Sequence, residues 1–167
     1  LEDALVRRDF NLNGETTIIY HGEPSRVQAI QNSARARVYG FEAGAKLRFS
    51  EQLKLTTQIS VTEGEEEQDD GTTAPLRHAA PFFGNVHLVW ENDKLRFDLF
   101  TEYNGEISAE ELAPSERDKA YLYALDENGD PYAPEWHTLN FSSQYQLGKM
   151  WVVTASLENI TDQRYRT

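Results

Sequence analysis

Apolar and polar residues alternate one by one along three stretches of the chain. These are Leu95 to Tyr103, Thr138 to Leu147 and Trp151 to Leu157. A strand turns successive side chains to opposite faces, so odd positions here share one side and even positions the other. The odd side is nearly all apolar, while Arg96, Asp98, Glu102, Asn140, Gln144, Gln146 and Thr154 fall on the even side. The same period marks Ala36 to Phe49, Leu53 to Val61 and Phe82 to Trp90, and Leu1 to Val6 reads as the end of a further strand. Short breaks at Ser50-Glu51-Gln52, Asn92-Asp93 and Gly148-Lys149-Met150 alternate with long connections: Arg7 to Asn32, Glu63 to Pro81 and Asn104 to His137. Strands of about 9–11 residues joined alternately by short turns and long loops are the pattern of a transmembrane β-barrel. The predicted fold is therefore all-β, an antiparallel up-and-down segment of such a barrel with six complete strands and one partial strand.

Aromatic residues agree with this reading. Rings that are apolar in body and polar at the tip collect at membrane–water interfaces. Phe49, Trp90, Tyr145 and Trp151 lie beside the short turns, and Tyr39, Tyr103 and Trp136 lie toward the long loops. Alternation alone does not separate a barrel from a soluble sandwich. Two features favour the barrel: charges of both signs in mid-strand (Glu42, Lys46, Arg48, Arg96, Asp98), and loops that are long at one end only.

Net charge is −12, which removes the basic groove that nucleic-acid binding needs. The acid is concentrated in two connections, one holding Glu63 to Asp70 and the other Glu106 to Asp130. Cysteine is absent, so disulfide and thiol chemistry are excluded. No apolar run is long enough for a membrane helix, which says nothing against barrel strands.

Three motifs point further. Leu157-Glu158-Asn159-Ile160-Thr161-Asp162-Gln163-Arg164-Tyr165-Arg166 resembles the late signature of TonB-dependent outer-membrane receptors, a strand ending in Asn-Ile-Thr-Asp with Tyr-Arg soon after. Val38-Tyr39-Gly40-Phe41-Glu42 resembles the family's aromatic-Gly-x-Glu strand start. His78-Ala79-Ala80-Pro81-Phe82-Phe83-Gly84 resembles its loop-to-strand return. The resemblance implies a barrel of about 22 strands filled by an N-terminal plug. Residues 1–167 would be the C-terminal portion of that barrel, without the plug and the last strand. It also implies active uptake of a scarce solute (a ferric siderophore, haem, cobalamin or an oligosaccharide). The implied partners are the TonB complex reached through the plug, outer-membrane lipids and lipopolysaccharide, and a small-molecule or metal-chelate substrate. The implied location is the outer membrane. Two rival readings are a passive porin-like barrel and a soluble β-sandwich binding module.

No constellation of nucleophile, base and metal ligands supports catalysis, so the chain reads as a non-enzyme with no cofactor. His21, His78 and His137, with Trp136, lie in or beside long loops and are candidate ligand-facing residues. Glu42, Lys46, Arg48, Arg96 and Asp98 are candidate plug-facing residues, because an unpaired charge inside a filled barrel is costly. His87 shares a strand face with Asn85 and should face the lumen. Asp126-Glu127-Asn128-Gly129-Asp130 has oxygens at alternate positions but lacks the spacing of a calcium loop, so it reads as an Asn-Gly turn. The Glu63–Asp70 cluster reads as a solvated acidic loop.

Overall fold

The computed structural model describes residues 5–32, 35–68 and 70–165. In chain order the elements are β1 (Leu5–Asp9), β2 (Thr17–Tyr20), β3 (Glu23–Arg26), β4 (Gln28–Asn32), β5 (Ala36–Arg48), β6 (Leu53–Glu67), β7 (Thr73–Pro75), β8 (Phe83–Glu91), β9 (Leu95–Asn104), a one-turn helix α1 (Pro114–Arg117), a 3-10 turn (Ala120–Leu122), β10 (Ala124–Leu125), β11 (Pro131–Tyr132), β12 (Trp136–Leu147) and β13 (Trp151–Leu157). The principal sheet runs β13-β12-β9-β8-β6-β5, with the short β7 on β6. Every pairing is antiparallel and every neighbour in the path is the next long strand in sequence. This is an up-and-down meander, left open at β5 and β13.

The period-two pattern becomes two unlike faces because the register keeps the strands in phase. Leu47 opposes Leu55, Leu55 opposes Leu88, Leu88 opposes Leu99, Leu99 opposes Phe141, and Phe141 opposes Leu157. One apolar row thus crosses all six strands. Trp90 and Phe97 stack in the neighbouring row, and Phe97 stacks on Phe141. The other face carries rows such as Gly44-Gln58-Asn85-Glu102-Thr138.

The apolar face covers nothing within the chain. Among the described residues the buried hydrophobics are only Ala36, Val89, Leu112 and Ala113, and none of them belongs to the apolar rows. Leu99 is 42% exposed and Val153 55%. The main element contacts run between hydrogen-bonded neighbours, so a single layer results. The β-sandwich reading requires a second layer over these side chains and is overturned. A face this large and greasy is stable against hydrocarbon, not water.

Three differences from the sequence reading have local causes. Arg7 to Asn32, expected as a loop, is a β-ribbon: β1 pairs with β4 and β2 with β3. Its tip is His21-Gly22, both at positive φ, the geometry of a tight hairpin. The reading of Leu1 to Val6 falls partly outside the described residues. Strand β6 also continues to Glu67, into the stretch read as acidic loop, because β5 and β7 flank it there. The turn after β8 centres on Asp93-Lys94, one residue later than expected. Asn92 sits at its corner, where its side-chain oxygen accepts from the N–H groups of Lys94 and Leu95 at 2.9 Å.

The short turns are tied to one another as well. Glu91 N–H donates to the Gln52 carbonyl at 2.9 Å, and Gln146 N–H to the Lys94 carbonyl at 2.7 Å. At the opposite end the strands are ragged. Pairing of β6 with β8 stops at Ser60, whereas pairing of β6 with β5 reaches Glu66.

Candidate functional site

The ragged end builds a cleft. Past Ser60, β6 leaves β8 and is joined by β7, and Leu76 N–H donates to the Gly64 carbonyl at 2.8 Å. A Cβ on Gly64 would sit 2.8 Å from the Leu76 Cβ, so only glycine admits this close packing. The chain then returns through Ala79-Ala80-Pro81 to β8. Across from it, the connection after β9 is pinned by two hydrogen bonds between Ile107 and Ala133, both 2.9 Å. Between these walls lies a cavity of about 510 Å³ whose lining includes Glu63, Glu65, Glu106, Glu110 and Glu111.

Those carboxylates are partly committed. Glu63 accepts from the Tyr39 hydroxyl. Glu111 accepts from the Ser108 N–H and hydroxyl, both at 2.8 Å. Among the described residues, no group of three metal-ligating side chains comes together. The cleft therefore offers a negative field and hydrogen-bond acceptors, which attract cationic groups and resist strongly anionic ones.

The connection forming one wall has a small core of its own. Leu112 and Ala113 are 2% and 1% exposed. Helix α1 starts with Pro114, and Glu116 at its third position reaches back to accept from the Ala113 N–H at 3.2 Å, the half of a capping box that an alanine N-cap allows. The other Glu116 oxygen lies 3.2 Å from His78 Nδ1 in the facing loop. Burial, then the Glu116 carboxylate, pushes the Tyr123 phenol above its ordinary pKa. Sequence reading counted Glu116 only as one acid among many. Ala-Pro-Ser-Glu was the available signal, since Pro with Glu two residues later is a helix-start signature.

The Asp126 stretch is a turn. Its Oδ1 accepts from the N–H groups of Asn128 and Asp130 at 2.8 Å, and Gly129 has φ +86°. The Asp130 and other backbone donors hold the Asp126 carboxyl below its usual 3.8. A lowered pKa stabilises the turn above 3.8 and the contribution is lost as pH falls through the lower folded value. Amide protection at Asn128 and Asp130, taken relative to the intrinsic exchange rate at each pH, is expected to fall below about pH 3.8 and to stay constant between pH 5 and 8.

The polar face holds a second constellation. Lys54 Nζ lies 2.6 Å from Glu91 Oε1, Glu91 Oε2 3.4 Å from Arg96, Arg96 3.4 Å from Asp98, and Asp98 3.0 Å from His87 Nδ1. His87 stacks on Phe100 with ring centroids 4.8 Å apart. Asparagine 140, also on this face, donates to Thr138 Oγ1 at 3.0 Å and accepts from the Asn159 N–H at 2.7 Å. Asn159 in turn bonds Gln163 twice, at 2.9 Å, from a left-handed backbone. The Asn-Ile-Thr-Asp motif is thus a folded clip against the polar face.

The expected site residues are spread apart. Glu42, Lys46, Arg48, Arg96 and Asp98 all fall on the polar face, the same face as His87 and Asn85. His78 borders the cleft through Glu116. His21 is at the ribbon tip, edge-on to Tyr20 at 4.3 Å. His137 opposes Tyr103 on the apolar face. Trp136, expected in the outward belt, opposes Asn104 on the polar face and stacks on Tyr165 at 4.5 Å. The fixed two-residue period decides this: Trp136 shares parity with Thr138 and Asn140.

A single-layer meander with one greasy and one charged face defines a wall segment of a membrane β-barrel. Residues 5–160 match the family described as TonB dependent receptor-like, beta-barrel. The chain belongs to that family, whose members are transporters of the outer membrane and not enzymes. Among solved structures it is similar to one named Copper transporter OprC, with 14% identity and a TM-score of 0.71. The match covers 99% of this chain and 22% of that one. At this identity the likeness shows the fold alone. No curated protein matches by sequence.

Proposed function

We propose that this chain forms part of the barrel wall of an outer-membrane receptor that takes up a scarce solute by TonB-dependent active transport. The observation that carries the reading is the family match over residues 5–160, and the charged, cross-linked face from Lys54 to His87, set back to back with the apolar rows, supports it. A charged inner face suits a wet or a plugged lumen, and the match to the TonB-dependent receptor barrel family favours the plugged one. In this reading Glu42, Lys46, Arg48, Arg96 and Asp98 face the plug, and the long loops receive the solute. Ferric siderophores, haem, cobalamin and oligosaccharides are the candidate solutes, and the similarity to a copper transporter adds copper. The acidic cleft favours a solute that is neutral or cationic where the loops touch it. Lipid and lipopolysaccharide surround the apolar face.

The test is accumulation of each labelled solute by cells expressing the full-length receptor, with and without TonB. One solute should accumulate only when TonB is present and the proton gradient is intact. Equal uptake without TonB would establish the passive porin instead.

A further inference from the structure

We propose that Glu116 is a clasp: its buried carboxylate ties the connection after β9 to the loop before β8 through His78, and so fixes the width of the cleft. The clasp gains its purpose from the solute-binding reading above, but its geometry stands apart from it.

Glu116 is only 8% exposed, the one buried acid among the described residues. Buried carboxylates need donors. One Glu116 oxygen accepts from the Ala113 N–H at 3.2 Å, and the other lies 3.2 Å from His78 Nδ1 in the facing loop. Arg117 Nε donates to the Leu112 carbonyl at 3.0 Å and closes the same hub. The capping contact alone would leave the second oxygen free. It points at His78 instead.

His78 is a non-glycine residue at φ +60°. Such a backbone persists where surrounding contacts over-determine it. Its imidazole is 72% exposed while Glu116 is nearly covered, so His78 is the part that can let go. Both ends of the clasp adjoin the cleft. Ala79 to Phe82 follow His78 directly, and Glu106 to Glu111 lead into the buried Leu112. Two loops joined at this point cannot separate independently, which makes the cleft preformed and lowers the ordering cost of binding.

The segment has no cysteine, so paired spin labels can be placed at Ala80→Cys and Glu110→Cys, on opposite walls. Electron–electron distance distributions would be measured on the full-length receptor in lipid, without solute. The unmodified clasp should give one narrow distance. Glu116→Ala should broaden it and shift it longer. His78→Gly keeps the Ala113–Glu116 hydrogen bond and suits the left-handed backbone, so it removes only the contact between loops, and it should broaden the distribution as well. An unchanged distribution in His78→Gly overturns the clasp, even if Glu116→Ala broadens it, because Glu116 would then serve its own loop alone. Unchanged distances alongside lost uptake would reject the clasp and leave the transport reading standing.

Discussion

Leu99→Arg should cost about 2–4 kcal/mol of barrel stability if Leu99 meets the middle of the bilayer. Leu99 sits in the centre of the apolar row, between Leu88 and Phe141, with Leu47, Leu55 and Leu157 beyond them. It is midway along β9, so an arginine there has the longest reach to either interface. The natural control is one residue away. Asp98 faces the other side and is already held by His87 and Arg96, so Asp98→Asn leaves the lipid face untouched. Urea midpoints of the full-length receptor refolded in lipid vesicles should fall clearly for Leu99→Arg. The loss for Asp98→Asn should be smaller and confined to the polar face. Equal stability of Leu99→Arg and the parent would mean that this row does not face lipid.

Asn140→Leu should cost about 1–3 kcal/mol, because it strands buried polar partners while nearly preserving volume. The Asn140 residue is 4% exposed and Thr138 2%. The amide bridges the Thr138 hydroxyl and the Asn159 N–H, and it is the side-chain anchor of the clip that Gln163 closes. The loss should be local. Amide exchange from Asn159 to Gln163 should accelerate while β9 and β12 remain protected. Asn159→Gly, which tolerates φ +49° but loses both Gln163 bonds, should loosen the same segment without exposing Thr138. Protection that stays intact in Asn140→Leu would show that the Ile160 N–H to Leu139 carbonyl bond suffices by itself.

The six long strands were legible because their signal is a simple parity, and parity also sets which side each residue faces. Phe41, Ile59, Leu88, Leu99, Phe141 and Val153 all follow it. Trp136 was misplaced because its position near a loop was weighed above its parity. The ribbon from Leu5 to Asn32 was hidden by turn-rich residues that serve its bends, Asn13-Gly14 and His21-Gly22. Of the candidate site, the inner charges could be listed from sequence but not joined. Lys54 to Glu91 spans 37 residues, and only the register of β6 on β8 brings them to 2.6 Å. The tie between His78 and Glu116 depends on two long connections folding toward each other, and no local pattern encodes that.

The uneven heights of the strands have an evolutionary consequence. Beyond Ser60, β5 and β6 rise past β8 with only the short β7 beside them, and at about 3.4 Å per residue their extra length is a mast some 20 Å tall. Inserting or deleting one matched pair of two-residue steps keeps both sides of the mast in phase. The height of the cleft wall above the short-turn end can therefore drift between descendants while the seams below it stay as they are.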